Sequence, residues 1–199
     1  HISDKNLRCT ISVKPSHVGL SISYKEALKN FKSISSKAKE LGNFLRIDME
    51  NSDLTDQTFD LLNECKQITQ DVGVAIQAYL RTSLNDLHNL ADSNFNARIC
   101  KGIYNEQSLI AFKDKTDIKN NKFTILDAIE KLGANVSSIF VIFNYGIIKD
   151  YYLFKKKKID VISLTNWSHV LNVASRKKIL KNDEVKIVES FLEKMKVKS

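Results

Sequence analysis

Eight polar side chains stand in or just beyond four short apolar runs, and their types suggest a chemistry. Lys14 follows the run at residues 9–13, and Asp48 and Glu50 end the run at 43–49. Gln77 and Tyr79 end the run at 72–79, and Arg98, Lys101 and Tyr104 belong to the run at 97–100 and its exit. A charge taken out of water is costly unless it is paired. Four successive runs, each ending in a charged or amide group, therefore suggest one shared polar cavity. Any one of these residues alone reads as well as a surface group or a structural ion pair. Two cations, Lys14 and Arg98, beside the carboxylate of Asp48 suit an amino acid, whose carboxylate needs donors and whose ammonium needs an acceptor. Gln77 can both donate to and accept from the edge of a heterocycle.

The elements that must position these groups follow from periodicity. Residues 9–13, 43–49, 72–79 and 97–100 read as strands. Between them, residues 24–41 place Ala27, Leu28, Phe31, Ile34, Ala38 and Leu41 at helical spacing, and Gly42 stops the run. Residues 56–68 and 83–91 read as two further helices. Strands alternating with helices imply right-handed βαβ units and a parallel sheet, so the expected class is α/β. In a parallel barrel, side chains at the carboxyl ends of the strands converge on one site. After Gly102 the pattern changes. Residues 107–122 read as polar and irregular, followed by helix 123–132, strand 136–143, a helix around 147–154, strand 161–164, and helices 167–174 and 183–195.

Composition narrows the function classes. The 199 residues are 43% hydrophobic and 27% charged, as in globular proteins. No run reaches the length of a membrane helix. Cys9, Cys65 and Cys100 are too few and too scattered for a disulfide framework or a zinc site, so no metal is expected and a reducing, cytoplasmic compartment is. No GxGxxG turn or GxxxxGK[ST] loop follows a strand, which disfavours the usual dinucleotide and nucleoside-triphosphate folds. Residues 1–122 carry 17 Lys and Arg against 15 Asp and Glu, or +2; residues 123–199 carry 14 against 8, or +6, for a total of +8. The one dense basic run, residues 155–158, has no interleaved aromatics, so it reads as a solvated loop and not as a nucleic-acid surface. The sequence opens on His1, with no charged-then-apolar leader, and reads as a fragment or as processed at its front.

Four segments, in order and spacing, resemble the proline dehydrogenase family: ISVKPSHVGL (11–20), NFLRIDMENSDLTDQTFDLL (43–62), VGVAIQAYLRTSLNDL (72–87) and ARICKGIYNE (97–106). The RxxKGxY cluster with an upstream QAY and IDxE makes the resemblance specific over about residues 7–118. It implies a partial (β/α)8 TIM-type barrel and an FAD site, at which L-proline is oxidised to pyrroline-5-carboxylate by hydride transfer. By resemblance, Lys14 meets the substrate carboxylate and Asp48 holds that lysine. Gln77 and Arg98 contact the flavin ring, with Arg98 stabilising charge that develops on reduction. The backbone of Cys100, Gly102 and Ile103 lines the flavin, Tyr104 walls the substrate, and Lys115 meets the cofactor phosphates. The family's initial strands would precede His1, and its later strands would follow residue 122. Those later strands include a segment of paired arginines, and no two arginines are adjacent here. Weak FAD binding and an incomplete active site are therefore expected.

From about residue 123 the words resemble the end of bacterial orotate phosphoribosyltransferase, most clearly VIFNYG (141–146) and SLTNW (163–167). That family's phosphate loop should precede this point, but residues 116–124 read TDIKNNKFT. They contain a lone acid, Asp117, and no glycine to expose backbone amides. The expected organisation is thus a truncated or chimeric chain: a partial barrel over 1–122 and an α/β tail over 123–199, the two completing one sheet of about six strands. A fragment of pyrimidine biosynthesis and a non-catalytic α/β protein stand as the alternatives.

Overall fold

Residues 2–7, 9–92, 94–133, 136, 138–145 and 151–197 are described by the structure, a computed structural model. The chain divides into two compact units, His1–Ala134 and Asn135–Ser199. In the first, strands β1 (Ile11–Val13), β2 (Leu45–Ile47), β3 (Val72–Gln77) and β4 (Ala97–Cys100) alternate with helices α1 (Tyr24–Glu40), α2 (Thr55–Lys66) and α3 (Ser83–Leu90), and α4 (Lys115–Lys131) follows. All strands are parallel, in the order β1-β2-β3-β4. Each strand thus lies beside its predecessor. Right-handed crossovers taken always in the same direction put their helices on one face of the sheet. A doubly wound sheet, by contrast, reverses its order. Sequential order is that of a barrel wall.

Period-two alternation explains the two faces. Ile11, Leu45 and Val72 form one register row, and Val13, Ile47, Val74 and Ala97 the next. They join a core with Ala27, Phe31 and Ala38 of α1, Leu61, Leu62 and Cys65 of α2, and Leu87 of α3. Helix α1 begins at an N-cap serine: Ser23 Oγ accepts from Glu26 N at 3.2 Å, with the Glu26 carboxylate in the first turn, where the helix dipole favours it. Residues between these apolar rows point to the opposite face, and there the polar groups gather.

Helix α4 starts earlier than its periodicity suggests. Residues 107–122 were expected to be irregular, but residues 115–122 are helical. Asp114 accepts hydrogen bonds from Thr116 N at 2.7 Å and Asp117 N at 3.3 Å, which nucleates the helix upstream of its apolar stripe. Ile125 and Ala128 enter the core of the first unit. The boundary read from sequence at 122–123 falls inside this helix, whereas the compact units part after Ala134. Cys9, expected in a strand, precedes β1 and is exposed.

The second unit holds strands β5 (Ser138–Asn144) and β6 (Asp160–Asn166) with helices α5 (Tyr151–Lys156), α6 (Trp167–Arg176) and α7 (Asn182–Val197). Of the helix expected around 147–154, residues 147–150 lie outside the described residues. Among the described residues, the expected single sheet of about six strands is instead two sheets, one of four strands and one of two. β5 pairs in parallel with β6, the next strand in the chain. Among the described residues, no helix is long and apolar enough to cross a membrane.

Candidate functional site

Three polar rows cross the face of the first sheet that the crossover helices leave uncovered. The lowest joins Ser12, Arg46 and Gly73. Arg46 lies over Gly73 and donates from Nη1 to Val74 O at 3.1 Å and Asn96 O at 3.0 Å, and from Nη2 to Asn96 Oδ1 at 2.5 Å. Its guanidinium also stacks 4.9 Å from the Phe44 ring centroid. Burial, reinforced by the nearby Arg98 charge, pulls Arg46 down to about 10. Glycine is required beneath it. A Cβ on Gly73 would overlap the Asn96 carbonyl oxygen and stand 2.5 Å from Arg46 Nη1.

The middle row carries the predicted site residues. Ala75 pairs in register with Arg98, and one step beyond the Val13–Ile47–Val74 row stand Lys14 and Asp48, with Asp48 N donating to Val13 O at 2.9 Å. Lys14, Asp48, Ala75 and Arg98 therefore share one row on one face. Asp48 was expected to hold Lys14, but it forms an ion pair with Arg98. The reason is the residue between them. Neighbouring strands are about 4.8 Å apart, so Asp48 and Arg98 are separated by two such spacings, and only a methyl group at Ala75 stands beneath the bridge. Lys14 instead donates from Nζ to the Tyr104 hydroxyl at 3.2 Å. That bond and the Tyr104 charge hold its ammonium above the usual lysine value, with Glu50 and Asp48 adding to the effect.

The upper row joins Gln77 and Cys100 in register, with Glu50 one strand over. Gln77 is buried, and its Nε2 donates to the Glu50 carbonyl at 2.6 Å, leaving Oε1 as its free acceptor. The buried Glu50 carboxylate accepts from Ser16 N at 2.7 Å and Ser16 Oγ at 2.6 Å. Beyond β4, Gly102 takes a φ of 98°, and a side chain there would run into the Tyr79 ring. Burial, then the Glu106 carboxylate, pushes the Tyr79 hydroxyl up to about 12. Ile103 is 86% exposed. Lys115 stands apart from these rows, exposed at the first position of α4.

The structure thus brings Lys14, Asp48, Gln77, Arg98, Cys100 and Tyr104 to one face and the carboxyl end of the strands, with Gly102 and Ile103 in the loop that follows. Sequence reasoning missed Arg46, Asn96 and Glu106. Arg46 was discoverable, since it sits two residues before Asp48 in the same extended run, 43–49, and must share its face. Residues 116–124, where a phosphoribosyltransferase would need its phosphate loop, run inside α4. There Asn121 Nδ2 donates to Ala78 O at 2.7 Å, so the segment closes the fold beyond β3. Among the described residues, no three His, Cys, Asp or Glu side chains cluster as metal ligands would.

Comparison with known proteins bears on the fold and the family. Proline dehydrogenase 1 of Bacillus subtilis strain 168 is 33% identical over 140 residues, which cover 69% of this chain and 45% of the relative. A proline dehydrogenase of Deinococcus radiodurans is 38% identical over 98 residues, 47% of this chain and 31% of the relative. The chain spans less than half the length of these two relatives. Orotate phosphoribosyltransferase of Streptococcus pyogenes serotype M5 is 28% identical over 116 residues, 58% of this chain and 53% of that protein. The stretches matched to the Bacillus and Streptococcus proteins together exceed the length of the chain, so they overlap. Among solved structures, proline utilization A from Bdellovibrio bacteriovorus superposes with a TM-score of 0.55 at 20% identity, over 65% of this chain and 17% of that one, a likeness of fold. The family model for proline dehydrogenase matches residues 2–115, more than half of the sequence, and the chain belongs to the proline dehydrogenase family.

Proposed function

We propose that the first unit is part of a flavin and amino-acid site for the oxidation of L-proline to pyrroline-5-carboxylate, and that this chain by itself holds only one wall of that site. The observation that carries the reading is the register row Lys14–Asp48–Ala75–Arg98, on the face opposite the crossover helices, with Gln77 one row above. Its donor set suits FAD. Arg98 is half exposed and keeps donors beyond the one given to Asp48, and Gln77 offers an acceptor oxygen. When bound, FAD would supply the hydride acceptor. Arg98 would offset negative charge on the ring, and Asp48 would hold the guanidinium in place. Lys14, whose ammonium donates to the Tyr104 hydroxyl, would meet the substrate carboxylate.

Only one lysine is assigned to that carboxylate, and no adjacent arginine pair exists in the sequence to complete a clamp. Misplacing a substrate by about 1 Å costs on the order of a hundredfold in rate. The expected outcome is weak FAD binding, seen as quenching of flavin fluorescence by excess protein, and no measurable proline-dependent dye reduction. Arg98→Ala should weaken the quenching further. Equal quenching by the parent and Arg98→Ala would remove the flavin reading. Proline-dependent turnover that disappears in Arg98→Ala would show that one wall of the site suffices.

A further inference from the structure

Lys14 and Tyr104 come from loops 90 residues apart in sequence, and their 3.2 Å bond depends on what fixes those loops. Two residues past Lys14, Ser16 gives both its backbone N–H and its hydroxyl to the Glu50 carboxylate, at 2.7 and 2.6 Å. Two residues past Tyr104, Glu106 receives the same pair of bonds from Ser52, each at 2.7 Å. Glu50 and Ser52 lie on one short segment after β2. That segment therefore grips the β1 loop with a carboxylate and is gripped by the β4 loop through a serine. It is anchored a third time where the Glu50 carbonyl accepts from Gln77, and Glu106 is steadied by Lys113 Nζ on its own carbonyl.

We infer that residues 50–52 form a bracket that sets the separation of Lys14 and Tyr104, with Glu50 and Glu106 as positioning residues for the pair. Each clamp uses both carboxylate oxygens on one serine, and such charge-assisted pairs fix direction as well as distance. A single bond would let the loop pivot, whereas two bonds to one residue do not. The bracket explains why Tyr104, in the loop beyond β4, meets a lysine on the far strand of the sheet. Nothing in the β1–β4 register brings those two residues together, since β2 and β3 lie between their strands.

The inference rests on Lys14 and Tyr104 being the site residues proposed above, yet its test uses neither flavin nor proline, so the two readings can fail separately. The charged groups acting on Lys14 are Tyr104, Glu50 and Asp48, the last already paired with Arg98. Trace acetylation of the whole folded chain, followed by mass spectrometry, reads the reactivity of Lys14 relative to the exposed Lys25. Tyr104→Phe sets the full effect and should raise Lys14 labelling, because the bond that holds Nζ and raises its pKa is lost. Ser52→Ala leaves Lys14, Tyr104 and Glu50 untouched and should shift labelling in the same direction, and Ser52→Thr, which keeps the hydroxyl, should restore it. Ser16→Ala tests the other clamp and serves if Ser52→Ala fails to fold, as judged by its melting curve. Labelling of Lys14 unchanged in folded Ser52→Ala or Ser16→Ala, or unchanged in Tyr104→Phe, would overturn the bracket.

Discussion

Gly73→Ala is the substitution for which the structure allows the most complete argument. The added Cβ would overlap the Asn96 carbonyl oxygen, stand 2.5 Å from Arg46 Nη1 and 3.0 Å from Phe44 Cζ. The Asn96 contact is backbone, whose carbonyl also accepts from Val74 N at 3.1 Å, so it cannot retreat without loosening β4 from β3. Arg46 can retreat, but only by giving up its bonds to Val74 O, Asn96 O and Asn96 Oδ1. Overpacking of this kind costs about 1–3 kcal/mol, and hydrogen bonds to a charged group are worth about 1.5–3 kcal/mol each. Because the guanidinium is only partly buried, we count the equivalent of a single such bond, which gives a loss of about 2.5–6 kcal/mol. That is a large share of the roughly 5–15 kcal/mol available to a domain. Urea unfolding followed by circular dichroism measures it, together with Arg46→Ala and the double variant. Arg46→Ala should be costly in the parent and nearly free in the Gly73→Ala background, where the added methyl has already displaced the guanidinium. A Gly73→Ala loss below about 0.5 kcal/mol, or equal Arg46→Ala costs in both backgrounds, would refute the argument.

Three further outcomes concern other contacts of the first unit. Ala75→Leu should block the bridge, so that the coupling between Asp48→Asn and Arg98→Ala, about 0.5–1 kcal/mol for a half-exposed pair in a double-mutant cycle, falls to nothing. Tyr79 titrates near 12 when folded and near 10 when unfolded, so its contribution is fully present below pH 10 and is lost as pH rises from 10 to 12. The upper limit is about 2.7 kcal/mol for a two-unit shift, and Tyr79→Phe should remove that segment of the pH–stability curve. Asn121→Ala should cost about 1–2 kcal/mol in urea unfolding, because the Ala78 carbonyl loses the 2.7 Å bond that Asn121 donates.

Much of the first unit was legible in the sequence, because its signals are local. Alternation with period two by itself separates Ile11, Val13, Leu45 and Ile47 from Ser12, Lys14, Arg46 and Asp48. The helical spacing of Ala27, Phe31 and Ala38 and the stop at Gly42 likewise depend on a few neighbouring residues. The start of α4 was misread because its signal is the Asp114 side chain, whereas apolar spacing marks only the later turns. Pairing partners were decided in three dimensions. Sequence placed Lys14, Asp48 and Arg98 at strand ends, but whether Asp48 meets the lysine or the arginine depends on reach across a strand and on the size of Ala75 between them. The meeting of Lys14 with Tyr104, and the serine–carboxylate clamps beside each, have no local signature, since they join loops brought together only when the strands close in order. Division into two sheets was equally a tertiary outcome. Periodicity marks residues 136–143 and 161–164 as strands, but it reports only the pattern along one segment, whereas pairing is made by backbone hydrogen bonds between segments apart in sequence.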